Sequence, residues 1–324
     1  MSKILITGAT GFIGSHLTEI CLKNNLEVVA YDRYNPNNNR GWLENSKYLE
    51  DINFILGDIR DYDSVIKAMD GCSAVFHLAA LIGIPYSYIS PLAYIRTNLE
   101  GTYNVLEASK KLCLEQVLIT STSETYGTAK YAPIDELHPV VGQSPYSASK
   151  IAADQLAISY YKSFGLPIKI VRPFNTYGPR QSARAIIPTV ISQVIDNKSD
   201  IKIGNLNPTR DLTFVEDTVL GFLEIYKSNN LFGEVINIGM CKEISMGDLI
   251  EKIFSLMNSS LDVISEPERV RPQKSEVNQL LCNNEKILKN TNWKPQNNLE
   301  EGLKKTIDWM LKNMKFFKSK DYNI

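Results

Sequence analysis

The stretch that most limits what this chain can fold into runs from Lys3 to Asp32. Lys3-Ile4-Leu5-Ile6-Thr7 is a short, branched, apolar run, as a strand buried on both faces requires. Gly8-Ala9-Thr10-Gly11-Phe12-Ile13-Gly14 follows, Ser15 to Lys23 reads as a helix, and Leu26 to Tyr31 is a second strand ending at Asp32. Glycines in such a turn let a pyrophosphate approach backbone N–H groups and the helix N-terminus, while the acid accepts ribose hydroxyls. The glycines are spaced Gly-x-x-Gly-x-x-Gly, and three glycines alone make any tight strand–helix turn. With Asp32 in place, Gly8, Gly11, Phe12, Ile13, Gly14 and Asp32 become candidate cofactor-binding residues. A carboxylate there repels a 2′-phosphate, which favours NAD over NADP, and neighbouring Arg33 works the other way.

The alternation then continues. Strands are expected at 53–56, 74–77, 116–120 and 168–171, and helices at 62–69, 91–111 and 148–163. Strands alternating with helices predict an α/β fold, a Rossmann-type doubly wound parallel sheet whose ligands sit beyond the carboxyl ends of the strands. After Asn175 proline and glycine become frequent and the elements shorten. Short strands at 211–214 and 235–238 flank a helix at 218–227, and amphipathic helices are expected at 245–256 and 299–313. We therefore expect a Rossmann domain over 1–174, with 212–240 returning to it, and a smaller mixed α/β substrate lobe from 175–211 and 241–324.

Composition narrows the function. A formal net charge of -1 over 324 residues argues against a general electrostatic grip on nucleic acid. Cys21, Cys72, Cys113, Cys241 and Cys282 are scattered and unpaired in sequence, which points to a reducing compartment and no structural metal. His16, His77 and His138 are too dispersed for a metal cluster, and His77 reads as a buried strand-end residue. With neither a signal peptide nor an apolar run long enough to span a bilayer, the expected location is the cytoplasm, without membrane attachment.

Two further stretches carry chemistry. Thr120-Ser121-Thr122-Ser123-Glu124-Thr125-Tyr126-Gly127 places hydroxyls and a carboxylate at a strand end. Ser144-Pro145-Tyr146-Ser147-Ala148-Ser149-Lys150 opens a helix on which Tyr146 and Lys150, four apart, share a face. A phenol is a poor base at neutral pH, but a nearby ammonium stabilises the phenolate, so the pair is a plausible proton acceptor for alcohol oxidation. Thr122 is placed to donate to the developing carbonyl oxygen. Taken alone, Tyr-x-x-x-Lys is more simply an exposed helix face. Joined to the glycine turn, it is a catalytic candidate.

The glycine turn, Tyr146 with Lys150, and Asn175 within Arg172-Pro173-Phe174-Asn175-Thr176-Tyr177-Gly178-Pro179 resemble the extended short-chain dehydrogenase/reductase superfamily, specifically its nucleotide-sugar-modifying branch. The resemblance covers essentially the whole chain. It implies tightly held NAD and a homodimer through a four-helix bundle built from the 91–111 and 148–163 helices. It also implies cofactor contacts at Asp58, Ile59, Leu78, Ala79, Ala80 and Asn98, with a helix N-cap as the plainer reading of Asp58. For the substrate it implies pyrophosphate contacts from Arg210 and Arg271, and a phosphate or sugar contact from Asn175.

Within that branch, nucleotide-sugar 4,6-dehydratases carry Thr-Asp-Glu where this chain has Thr122-Ser123-Glu124, and UDP-glucuronate decarboxylases carry Thr-Ser-Glu. Simple 4-epimerases usually lack the glutamate, since oxidation and re-reduction at C4 need no carbon-acid step. Longer runs resemble the GDP-N-acetylglucosamine 4,6-dehydratases of legionaminic-acid synthesis: Ser121 to Gly127, Pro133 to Glu136, Asn175 to Ala185, Asn207 to Phe214 and Arg271 to Glu276. The expected activity is therefore an NAD-dependent lyase forming a 4-keto-6-deoxy sugar, with Glu124 taking the C5 proton and Ser123 one of the groups that assist the leaving hydroxyl. The alternatives are the decarboxylase, favoured by Ser123, a 4-epimerase, and a non-catalytic NAD-binding sensor.

Overall fold

A computed structural model describes residues 2–196 and 199–317. In chain order the elements are β1 (Lys3–Thr7), α1 (Phe12–Lys23), β2 (Glu27–Arg33), β3 (Ile52–Gly57), α2 (Tyr62–Met69), β4 (Ala74–His77), α3 (Ile84–Ile89), α4 (Pro91–Tyr94), α5 (Gly101–Lys111), β5 (Gln116–Thr120), α6 (Pro145–Phe164) and β6 (Ile168–Pro173). There follow β7 (Asn175–Tyr177), α7 (Ile186–Ile195), β8 (Asp200–Ile203), β9 (Thr209–Phe214), α8 (Val215–Lys227), β10 (Val235–Ile238), β11 (Glu243–Ser245), α9 (Met246–Met257), β12 (Asp262–Ser265), β13 (Gln279–Leu280), α10 (Glu285–Asn290) and α11 (Leu299–Asn313).

Seven parallel strands form one sheet in the order β10-β6-β5-β4-β1-β2-β3, so the expected Rossmann-type arrangement is observed. Its pleat divides the core. Ile4 and Ile6 join a cluster with Leu17, Phe222 and Ile238, whereas Leu5 joins Val65, Val105 and Ala157 on the opposite face. The first cluster continues through α8 into Ile187, Ile253 and Ile307 of α7, α9 and α11. The strand order reverses beside β1, between β4 and β2, and the site lies at the carboxyl ends there.

β7, β9, β11 and β13 form a second, mixed sheet, and β8 pairs with β12 in parallel. β9 answers to the strand expected at 211–214, whereas β7, β8, β11, β12 and β13, along with α7, carry too few residues or too many branched ones to announce themselves in sequence. The 91–111 helix is also less regular than expected. Ile95–Glu100 forms a π-helical segment between α4 and α5, a wide turn that turns Asn98 inward. α6 starts at Pro145 rather than Ala148, because Ser144 and Ser147 form a reciprocal capping box and proline is tolerated at the first helical position. No helix among the described residues is long and apolar enough to cross a membrane.

Candidate active site

The glycine turn is a cradle that side chains would fill. A Cβ on Gly14 would lie 2.1 Å from the Gly8 carbonyl oxygen, and one on Gly8 (φ +71°) would lie 3.0 Å from the Ala79 backbone. No side chain caps the N-terminus of α1, so its first-turn N–H groups remain available. Asp32 closes the other side, accepting from the Thr10 amide at 2.9 Å, from the Thr10 hydroxyl and from the Arg33 amide at 2.7 Å. Each of its oxygens keeps acceptor capacity for ribose hydroxyls. This combination of bare glycine backbone, open helix N-terminus and strand-end carboxylate fits a dinucleotide.

Leu78 and Ala79 are held against the turn, both donating through their amides at 3.1 Å to the Thr7 hydroxyl. Asn98 fixes the next residues. It accepts from the Leu81 amide at 2.8 Å and donates to the Leu81 carbonyl and to Ser149, each at 3.0 Å. His77 is buried between Thr7 and Thr102, and burial lowers its pKa to about 3, so it stays neutral. Ile59 is buried against Gly101, while Asp58 lies at the surface in an ion pair with Arg60. The helix N-cap reading of Asp58 is incorrect. Asp61 caps α2, because the cap must accept from the amide two residues on, and Asp61 does so from Asp63 at 3.1 Å.

On α6, Tyr146 is 7% and Lys150 4% exposed, which removes the exposed-face reading. The ring of Tyr94 stands edge-on to that of Tyr146, with centroids 6.2 Å apart. Lys150 donates to the Thr120 carbonyl at 2.6 Å, so its ammonium is fixed at the end of β5. Thr122 hydrogen-bonds the Tyr146 phenol and also receives the Glu124 amide at 3.3 Å. The expectation that the ammonium lowers the phenol's pKa is corrected here. Burial pushes the Tyr146 pKa up, Thr122 pulls it back in part, and the charge of Glu124 raises it further. Burial likewise lowers that of Lys150. In the free protein the phenol is thus held protonated.

A 3₁₀ turn, Ser123–Tyr126, presents Glu124 beside this pair, with Ser123 buried behind it. Across from Glu124 lie Arg210 and Arg271. Arg271 Nη1 is 3.9 Å from Glu124 and 3.6 Å from Glu276, and makes no hydrogen bond to any described residue. Arg210 reaches the same Glu276 at 3.5 Å and is otherwise tied to the Thr209 carbonyl. Asn175 Oδ1, at the start of β7, is another buried polar atom without a partner among the described residues. Two guanidinium groups thus gather around Glu124 and Glu276, on the side of Tyr146 that Glu124 occupies. Their donors suit a diphosphate, and the carboxylate suits proton transfer at carbon.

The profile of the family described as GDP-mannose 4,6 dehydratase matches residues 5–306. The chain belongs to that family. Members and near relatives divide between two activities. A dTDP-glucose 4,6-dehydratase of Streptomyces antibioticus is 30% identical, with 96% of this chain and 93% of the dehydratase covered. A putative UDP-glucose 4-epimerase of Methanocaldococcus jannaschii is 31% identical, with 96% of this chain and 99% of the epimerase covered. Among solved structures, the UDP-glucuronic acid 4-epimerase of Bacillus cereus, in complex with UDP-glucuronic acid and NAD, superposes with a TM-score of 0.88. It is 31% identical, with 96% of this chain and 99% of that one covered. The family is thus secure, and it leaves dehydration and epimerisation equally near.

Three groups of this family member's site escaped the sequence reading. Tyr94 and Glu276 had no local signal. Asp154 had one, since it continues the four-residue spacing Tyr146, Lys150, Asp154 along α6.

Proposed function

We propose that the protein is an NAD-dependent nucleotide-sugar 4,6-dehydratase, with GDP-N-acetylglucosamine as the substrate. The observation that carries this reading is Glu124, a carboxylate set on a turn beside the Tyr146 phenol in a place where epimerisation at C4 needs none. Gly8, Gly11, Gly14 and Asp32 hold the cofactor, and Arg210, Arg271 and Asn175 hold the diphosphate and sugar. Bound NAD supplies the hydride acceptor at C4 and the donor at C6. Tyr146 takes the C4 hydroxyl proton while Thr122 donates to the forming carbonyl oxygen. Lys150 holds positive charge beneath the phenol. Glu124 then removes the C5 proton, which the 4-keto group has made acidic, and hands it to the C6 hydroxyl, which leaves as water. The proton taken by Tyr146 is balanced by one returned to C5 as C6 is reduced. Ser123 is where a decarboxylase would also place serine, so that reading stands second. Mass spectrometry over UDP-, GDP-, CDP- and dTDP-linked sugars, with proton NMR of any product of unchanged mass, tests the proposal. Loss of water supports it, and loss of carbon dioxide from a uronate, or epimerisation without mass change, overturns it.

The same reading includes a homodimer. Leu92, Ile95 and Tyr103 on the α4–α5 helix and Tyr161 and Phe164 on α6 are large, apolar and exposed on two helices that pack side by side. A second copy of this face would complete a four-helix bundle. Light scattering at micromolar concentration is expected to give twice the chain mass, falling to one chain for Ile95→Glu, and a monomeric native protein would refute the dimer.

A further inference from the structure

Behind the candidate pair lies a buried charged group that no step above uses. Asp154 Oδ2 accepts from the Ser121 hydroxyl at 2.5 Å and from Arg172 Nη2 at 2.7 Å, and Arg172 Nε reaches Ser121 at 3.3 Å. Asp154 and Arg172 are 2% and 3% exposed, and Asp154 Oδ1 has no partner among the described residues. Arg172 also stacks over Tyr126, at 4.5 Å from the ring centroid, and the Tyr126 hydroxyl donates to Asn237 at 2.8 Å. The network therefore ties α6 to β5, β6 and β10 beneath the reacting groups. A buried ion pair is weak evidence for added stability, because desolvation offsets its attraction. Its position needs another account.

Ser121 stands between Thr120, whose carbonyl receives Lys150, and Thr122, whose hydroxyl meets Tyr146. Asp154 is one helical turn beyond Lys150 on the same face. We propose that Asp154 is a positioning residue for the oxidation: its carboxylate keeps the Lys150 ammonium charged in a dry site and, through Ser121, fixes the strand end that carries Thr122. Arg172 holds Asp154 in place through its 2.7 Å contact to Oδ2. The groups around Lys150 leave this task to Asp154. His77 from β4 is neutral, Tyr146 on α6 and Tyr94 on α4 are protonated phenols, Arg172 on β6 would oppose the ammonium, and the charge of Glu124 acts on the phenol rather than on Lys150. Burial pulls the lysine toward neutrality, and Asp154 acts against it.

The inference rests on Tyr146 and Lys150 being the oxidation pair. Its test reads the lysine directly. Carbon NMR of protein labelled at the lysine ε-carbon, with Lys150 assigned through Lys150→Arg, is expected to show the Lys150 midpoint about one pH unit or more lower in Asp154→Asn than in the native protein. The kcat of Asp154→Asn should fall about tenfold with KM nearly unchanged, and the alkaline limb of its pH profile should move down with the lysine. An unmoved midpoint in a folded Asp154→Asn overturns the proposal. Should that variant not fold, Ser121→Ala keeps every charge and is expected to lose about three- to tenfold in kcat at unchanged KM, and native kcat there overturns it instead. Full activity of Lys150→Met would instead sink the underlying assignment of the oxidation pair.

Discussion

Tyr146→Phe is expected to lower turnover by a factor on the order of 10² to 10⁴, with substrate affinity and thermal stability close to native. The phenol is buried against Tyr94 and its hydroxyl meets Thr122, so removing one oxygen leaves the packing intact and deletes only the proton acceptor. Burial holds the phenol well above its ordinary pKa, and the native rate should therefore rise with pH until another group fails. The sign follows from the base form: raising the pKa makes phenolate scarcer at neutrality, and each unit of pH restores it. Steady-state kinetics across pH, paired with melting curves, checks both parts. A Phe variant within about threefold of native would remove Tyr146 from the mechanism.

Glu124→Gln separates the two activities found among the relatives. It is expected to lower formation of the 4-keto-6-deoxy product by about 10²-fold or more, because an amide cannot take the C5 proton. Oxidation at C4 should persist, since Tyr146, Lys150 and Thr122 are untouched. Under single-turnover conditions the absorbance of reduced cofactor should therefore build up in the variant and pass quickly in the native protein. A variant that forms the dehydrated product at near-native rate would dismiss Glu124 as the carbon base. The charge change has a further consequence. Glu124 raises the Tyr146 pKa and lies 3.9 Å from Arg271, so the amide should also ease phenol ionisation and leave Arg271 freer for a diphosphate.

Much of the sheet and part of the site could be read from local pattern. The helix at Tyr62–Met69 and the strands at Ala74–His77 and Gln116–Thr120 coincide with their sequence-derived limits, because strand-length apolar runs and a helical period suffice to mark them. The four-residue spacing of Tyr146 and Lys150 needed only helix geometry. What failed was non-local. The Asp154–Arg172 pair joins α6 to β6, and Glu276 meets Arg210 across 66 residues of chain, so neither pairing was visible in sequence, although the spacing on α6 marked Asp154 itself. The π segment was hidden for another reason: Ile95–Glu100 is composed of residues that serve an α-helix equally well, and only the inward pull on Asn98 distinguishes the two. Asp58 was the cap that the sequence suggested, but Asp61, three residues later, is the one placed to accept from the start of α2.

The bond between Thr10 and Asp32 bears on how cofactor preference can drift. A residue that discriminates at the ribose is ordinarily free to be exchanged, because its only duty is toward the ligand. Here the same carboxylate splints the glycine turn through the Thr10 amide and hydroxyl. A swap to a small neutral residue that admits a 2′-phosphate would also let the loop between β1 and α1 lose its brace. Altered specificity and altered loop rigidity are inherited together at this position, so a lineage moving toward the phosphorylated dinucleotide must find a new anchor for Thr10 as well.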